Sequence, residues 1–83
     1  MSFVKRFVLT EKALMMAEKE NKIVLVVDKS ATKKAVKDAV ERLYGVKVEY
    51  VNTMITPRGE KKAVVKLAPE NNAFDLLSRL GLL

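Results

Sequence analysis

The run Ile23-Val24-Leu25-Val26-Val27, set between Lys22 and Asp28, constrains this chain more than any other feature. A strand sends successive side chains to opposite faces, so here Ile23, Leu25 and Val27 point one way and Val24 and Val26 the other. Neither face suits water. The run therefore predicts a strand in the middle of a sheet, covered on both sides. It is also far shorter than the ~20 apolar residues that cross a bilayer, and the amino end (Met1 to Arg6) lacks the apolar core of a secretory leader. No membrane insertion is expected, and the cytoplasm is the expected compartment.

Turn signals divide the rest of the chain into short elements. Phe3 to Val8, hydrophobic and β-branched around Lys5 and Arg6, reads as a short edge strand. Thr10 is a suitable N-cap for a helix from Glu11 to about Lys19, with Glu11 well placed against the positive helix end and Ala13, Leu14 and Ala17 on the inner face. A second helix is predicted from Ala31 to Tyr44, where Val36, Val40 and Leu43 recur at helical spacing; Ser30 is its expected N-cap and Gly45 its stop. Val46, Val48 and Tyr50 then alternate with Lys47 and Glu49, and the alternation slips at Val51, which asks for a bulge or a strong twist. Pro57-Arg58-Gly59 forms a hairpin turn, Lys61 to Leu67 the return strand, and Pro69 ends it. Asn71 or Asn72 caps a last helix closed by Gly81.

The order is strand, helix, strand, helix, strand, strand, helix. A crossover through the long helix makes the strands at Ile23 and Val48 run the same way, and the return strand fits between them, antiparallel to both. The fold class predicted is α+β: a single small domain over residues 1–83, a split β-α-β (ferredoxin-like plait) with a mostly antiparallel four-stranded sheet and three helices.

Composition decides which chemistries are open. With 49% hydrophobic and 31% charged residues the 83-residue chain is built to fold. It has no cysteine and no histidine, which removes thiolate nucleophiles, zinc-ribbon sites and the commonest general base. The pairs Glu18/Glu20 and Glu60/Glu70 lack metal-loop spacing. No enzymatic activity, no cofactor and no small-molecule substrate are expected. Sixteen Lys and Arg against ten Asp and Glu give +6, which favours a polyanionic partner.

Three groups of cations are candidates for that partner. Lys33, Lys34 and Lys37 sit in the first turns of the long helix, where they oppose the helix dipole unless an external phosphate reverses the sign. Arg58, Lys61 and Lys62 flank the hairpin tip. Lys5, Arg6, Lys12, Lys19 and Lys22 extend the positive surface on the amino-terminal side, and of these Lys5, Arg6 and Lys12 are taken as candidates. The plainer alternatives are a solvated lysine face on the helix and a charged strand edge that deters pairing. The return strand holds no aromatic residue, so base stacking is not expected and binding by shape and phosphate is. Of Met15 and Met16, one should face the core. The carboxyl-terminal Phe74, Leu76, Leu77, Leu80, Leu82 and Leu83 should form a lid on the core with a partly exposed tip.

The motifs, taken in order, resemble a known family. Leu9-Thr10-Glu11-Lys12-Ala13 is similar to the Val-Thr-Glu-Lys-Ala opening of the universal large-ribosomal-subunit protein twenty-three family. Asn21-Lys22, Ala39-Val40-Glu41, Val46-Lys47-Val48, Val51-Asn52-Thr53 and Lys61-Lys62-Ala63 with Val65 and Leu67 follow in the family's order and spacing. Bacterial members carry a long basic extension between the equivalents of Thr53 and Lys61, where this chain has only Met54 to Glu60. The long basic amino-terminal extension of eukaryotic members has no counterpart here either. The pattern resembles that of archaeal members.

This resemblance implies an α/β fold with an antiparallel sheet and a non-enzymatic role in the large ribosomal subunit. It implies binding to large-subunit ribosomal RNA on the outer surface beside the polypeptide exit tunnel, next to the large-subunit protein twenty-nine family, where the signal recognition particle or other nascent-chain factors dock. Carried onto this sequence, Lys33, Lys37, Asn52, Thr53, Lys61 and Lys62 would face RNA, and Thr10 and Glu11, with Lys12, would lie on the exposed segment that meets docking factors. Asn52 and Thr53 could equally fix the expected bulge through side-chain-to-backbone bonds. Without the resemblance, a small regulatory ferredoxin-like module or a protein adaptor using the leucine-rich carboxyl end would also fit the residues.

Overall fold

A computed structural model describes residues 3–83; Met1 and Ser2, part of the amino end read above, lie outside the described residues. The elements run β1 (Val4–Phe7), α1 (Glu11–Glu20), β2 (Lys22–Val27), α2 (Lys33–Tyr44), β3 (Val48–Ile55), β4 (Lys61–Leu67) and α3 (Ala73–Arg79). They form one sheet in the order β1-β2-β4-β3, antiparallel at every pairing. β4 lies between β2 and β3, as the split β-α-β reading requires, and the plait with three helices is the observed architecture.

All three helices contribute to one core. Ile23, Leu25, Val27, Ala63, Val65, Leu67 and Val51 of the sheet meet Ala17 of α1, Val36 and Val40 of α2, and Leu76 and Leu77 of α3. Each such aliphatic side chain, fully buried, is worth roughly 1.5–3 kcal/mol over exposure. Met16 is half-buried and Met15 exposed. At the carboxyl end Leu76 and Leu77 are buried while Phe74, Leu80 and Leu83 are exposed, the expected lid and tip.

Asn21 joins three of these elements. It ends α1 in the left-handed region at φ 58°. Its Nδ2 reaches the carbonyls of Leu67, Ala68 and Asn71 at 3.3, 3.3 and 2.8 Å, and its Oδ1 accepts from the Ala73 N–H at 2.7 Å. One short amide thus ties the end of α1 to the end of β4 and the start of α3.

β2 is buried on both faces, as its sequence asks: Ile23, Leu25 and Val27 lie in the core, Val24 borders a groove beside Ala13 and Met16 of α1, and Val26, 2% exposed, sits in register between Arg6 and Lys62. Three expectations need correction. The N-cap of α2 is Thr32, not Ser30. The Asp28 carboxylate takes the Ser30 N–H at 2.9 Å and hydroxyl at 2.6 Å, leaving Thr32 Oγ1 to accept from Ala35 N at 3.1 Å. Leu43 is 52% exposed, because helical phase sets direction but not what stands opposite. Tyr44 meets the sheet instead, its ring 5.5 Å from that of Phe7. Finally, the slip in β3 falls between Val48 and Tyr50. Val48 and Val51 are both buried though three residues apart, so one extra residue must be absorbed between them, and Tyr50 turns outward.

Candidate nucleic-acid interface

Strand register sorts the candidate residues. On the face away from the helices, Arg6, Val26, Lys62 and Met54 form one row across the four strands. Val24, Val64 and Asn52 form the next, and Lys22, Lys66 and Tyr50 the third. Thr53 pairs with Ala63 and Lys61 with Val27 on the opposite face, so two adjacent pairs singled out in the sequence are split by strand alternation.

The start of α1 borders this open face. Thr10, Lys12 and Met16 line a shallow groove with Val24, Val64, Met54 and Lys62. An adjoining hollow is lined by Arg6, Thr10, Thr56, Arg58 and Lys62. Arg6 donates from Nη2 to both carboxylate oxygens of Glu60 at 3.1 Å, which steadies its guanidinium without burying it; the two side chains are 56% and 38% exposed. Exposed pairs of this kind contribute little stability. Arg6, Lys12, Arg58, Lys62 and Asn52 are thus gathered around one surface, with Thr10 and Glu11 at its rim.

Lys33 and Lys34 form the exposed first turn of α2, where no acidic residue stands, and Lys37 follows half-buried. This helix start is tied to the hairpin by Lys61. Its ammonium donates to the Ala31 carbonyl at 2.6 Å and reaches that of Lys29 at 3.4 Å. Gly59 takes φ 85°, a left-handed backbone that favours glycine, and an added Cβ there would stand in ordinary contact, 3.6 Å, with Lys29 Nζ. Lys61 is therefore spent on holding the loop before α2, and Lys62 alone of the two faces outward from the open sheet.

Three groups have displaced titrations. The hydrogen bonds from the Ser30 hydroxyl and then the Ser30 N–H hold the Asp28 carboxyl below its ordinary 3.8, with a small contribution from the charge of Lys5. The hydrogen bond to Glu20 raises Lys22, and burial raises Tyr44. None of these resembles a poised acid–base pair. Among the described residues no group of His, Cys, Asp or Glu is arranged to hold a metal, and no helix is long and apolar enough to cross a membrane.

Some functional-looking residues were not singled out from sequence. Lys66 and Tyr50 share the open face with Lys62, and the spacing Lys62-x-Val64-x-Lys66 was the available signal. Lys66 Nζ also closes the end of α1 by donating to the Glu20 carbonyl at 2.7 Å. Glu41 accepts from the Val48 N–H at 2.9 Å. No local pattern could have disclosed that bond.

A small, basic split β-α-β domain whose cations spread over an open sheet face and a helix start belongs to the class of proteins that work through a charged surface. Comparison with known proteins makes this particular. The profile of the Ribosomal protein L23 family matches residues 2–75. The chain is 70% identical over 80 residues to large ribosomal subunit protein uL23 of Pyrobaculum aerophilum, an alignment covering 96% of this chain and 99% of that one. It is 59% identical over 80 residues to large ribosomal subunit protein uL23 of Caldivirga maquilingensis, covering 96% and 93%. The chain belongs to the Ribosomal protein L23 family. It is a non-enzymatic structural protein of the large ribosomal subunit, of archaeal kinship, and acts in translation in the cytoplasm as part of the ribosome.

Proposed function

We propose that the whole chain acts as one domain that binds large-subunit ribosomal RNA, through the open sheet face and the start of α2. The observation that carries this reading is the first turn of α2: Lys33 and Lys34 stand at a positive helix end with no acidic residue beside them. On a free protein that arrangement is unfavourable, and a phosphate over the helix start makes it favourable. Arg6, Lys12, Asn52, Arg58 and Lys62 around the open face, with Lys5 and Lys37, complete the RNA-facing set. Lys61 and Thr53 are left out of it, since Lys61 is engaged with Ala31 and Thr53 lies on the helix face.

The family membership further supports a place on the outer surface at the polypeptide exit tunnel, beside the large-subunit protein twenty-nine family. There Thr10 and Glu11, both exposed, would be available to the signal recognition particle or other nascent-chain factors. Met54 to Glu60 make only a short hairpin, suited to the tunnel rim.

RNA binding is tested by titration against in-vitro transcribed large-subunit ribosomal RNA over a range of salt. With about five or six neutralised phosphates, log affinity should fall against log salt with a slope of several units, each phosphate contributing ~0.7–0.9. A slope near zero would remove the phosphate reading and favour the protein-adaptor alternative.

A further inference from the structure

The two edges of the sheet are built differently. β1 is four residues long, carries Lys5 and Arg6, and is broken by a register shift between Val4 and Arg6. Short length, edge cations and a bulge are the usual devices that stop a sheet from pairing with another chain. β3, the other edge, is eight residues long and has no lysine, arginine or proline. Its irregularity is confined to the start, between Val48 and Tyr50, and there Glu41 takes the Val48 N–H. From Tyr50 to Ile55 the strand pairs in unbroken register with β4 on one side, and among the described residues nothing bonds to its other side. Tyr50, Met54 and Ile55 are 40%, 57% and 60% exposed.

We infer that the outer edge of β3 from Tyr50 to Ile55 takes an added strand from a neighbouring protein. Strand addition satisfies the outward backbone donors and acceptors as a ladder and lets alternate side chains pack on those of the edge. RNA offers no such ladder and gains nothing from Met54 and Ile55. A second copy of the chain is disfavoured because each copy carries +6. The occupant's chemistry follows from register. Its side chains on the open face would lie beside Tyr50, Asn52 and Met54, one strand from Lys66, Asn52's partner Val64 and Lys62, so acidic or polar groups suit that face. Its other face would pack against Thr53 and Ile55 and should be apolar. Tyr50, Asn52 and Met54 lie on the open face that the RNA reading uses, whereas Thr53 and Ile55 lie on the helix face, so a change confined to Ile55 lets RNA binding and strand addition succeed or fail separately.

The test is amide exchange, run on isotope-labelled full-length chain free and after assembly into large subunits, then quenched and read residue by residue. Added pairing should slow alternate amides between Tyr50 and Ile55, those directed away from β4, by more than tenfold in the subunit. Exchange of those amides at the free-chain rate would overturn the proposal. So would equal slowing in a concentrated free chain that sediments as a dimer, which would make the occupant a second copy. The variant I55K adds to β3 the kind of edge charge that β1 has, at an exposed side chain on the helix face of the sheet, away from the proposed RNA-facing surface. It should lose the alternate protection while its RNA salt slope stays at least as steep. Protection unchanged in this variant would also overturn the proposal.

Discussion

Helices α1 and α2 begin and end alike. Thr10 Oγ1 accepts from Ala13 N at 3.2 Å and Thr32 Oγ1 from Ala35 N at 3.1 Å. Each helix stops at a left-handed residue, Asn21 at φ 58° and Gly45 at φ 65°, whose N–H returns to a carbonyl of the last turns. Their charges differ. α1 opens with Glu11, which its dipole favours, whereas α2 opens with Lys33 and Lys34, which its dipole opposes by roughly 0.3–1 kcal/mol each at low salt. With the caps equal, the difference cannot be a device for making a helix. α1 is charged for its own stability and α2 for something outside the fold.

The largest effect that could break this comparison lies in RNA binding. Neutralising Lys33 and Lys37 together, as Lys33→Gln with Lys37→Gln, should weaken binding roughly tenfold and reduce the salt slope by about 0.7–0.9 for each phosphate no longer neutralised. Glu11→Gln should leave the slope unchanged. Lys47→Gln, an exposed lysine outside the proposed surface, is the control for net charge. Equal weakening by the Lys47 control and either helix lysine would mean that only total charge matters.

Next come the caps, which should behave alike if the two starts are equivalent in backbone terms. Thr10→Ala and Thr32→Ala should each cost about 1 kcal/mol in thermal or denaturant unfolding of the free chain. A much larger cost at Thr32 would show that α2 needs its cap to offset its lysines, which would sharpen the contrast.

The charges themselves should move stability by smaller amounts and in opposite directions. At low salt Glu11→Gln should destabilise by roughly 0.3–1 kcal/mol and Lys33→Gln should stabilise by a similar amount. Both effects should fade near 1 M salt, where the Debye length is about 3 Å. Matching signs for the two substitutions would sink the dipole argument.

The smallest effect concerns the turn before α2, for which α1 has no counterpart. Asp28 titrates below 3.8 in the folded chain because Ser30 holds its ionised form. The unfolded chain therefore takes up this proton first as pH falls, so the carboxylate's contribution is present above about 3.8 and is lost as pH drops through the folded value. Melting curves from about pH 6 to pH 2 should show wild type losing more stability than Asp28→Asn over the acid part of that range. Parallel acid limbs would show that the Ser30 bonds matter only as geometry.

Much of the fold could be read from the residues alone, and the reasons are local. The Ile23–Val27 run marked the central strand because neither of its faces tolerates water. Pro57-Arg58-Gly59 marked the hairpin because turn conformations select those residues. The return strand was readable over its observed span, Lys61–Leu67. The candidate site was less legible. Lys61 and Lys62 look equivalent in sequence, yet one bonds to Ala31, thirty residues away, while the other faces out from the open sheet. Asn52 and Thr53 divide in the same way by strand alternation, and the irregularity between Val48 and Tyr50 decides which of them takes the open face.

The sequence by itself determined the elements, their order, the excess of positive charge and the lack of thiol and imidazole groups, because these depend on composition and on neighbours within about four residues. The tertiary structure decided which cations share a surface, which of Ser30 and Thr32 caps α2, and which sheet edge stays open. It also set Asn21 at the junction of α1, β4 and α3, through bonds to residues 46 to 52 positions away. The physical reason is one of range. Propensity and periodicity act along the chain, whereas register, burial and hydrogen-bond partnership exist only after distant segments have packed.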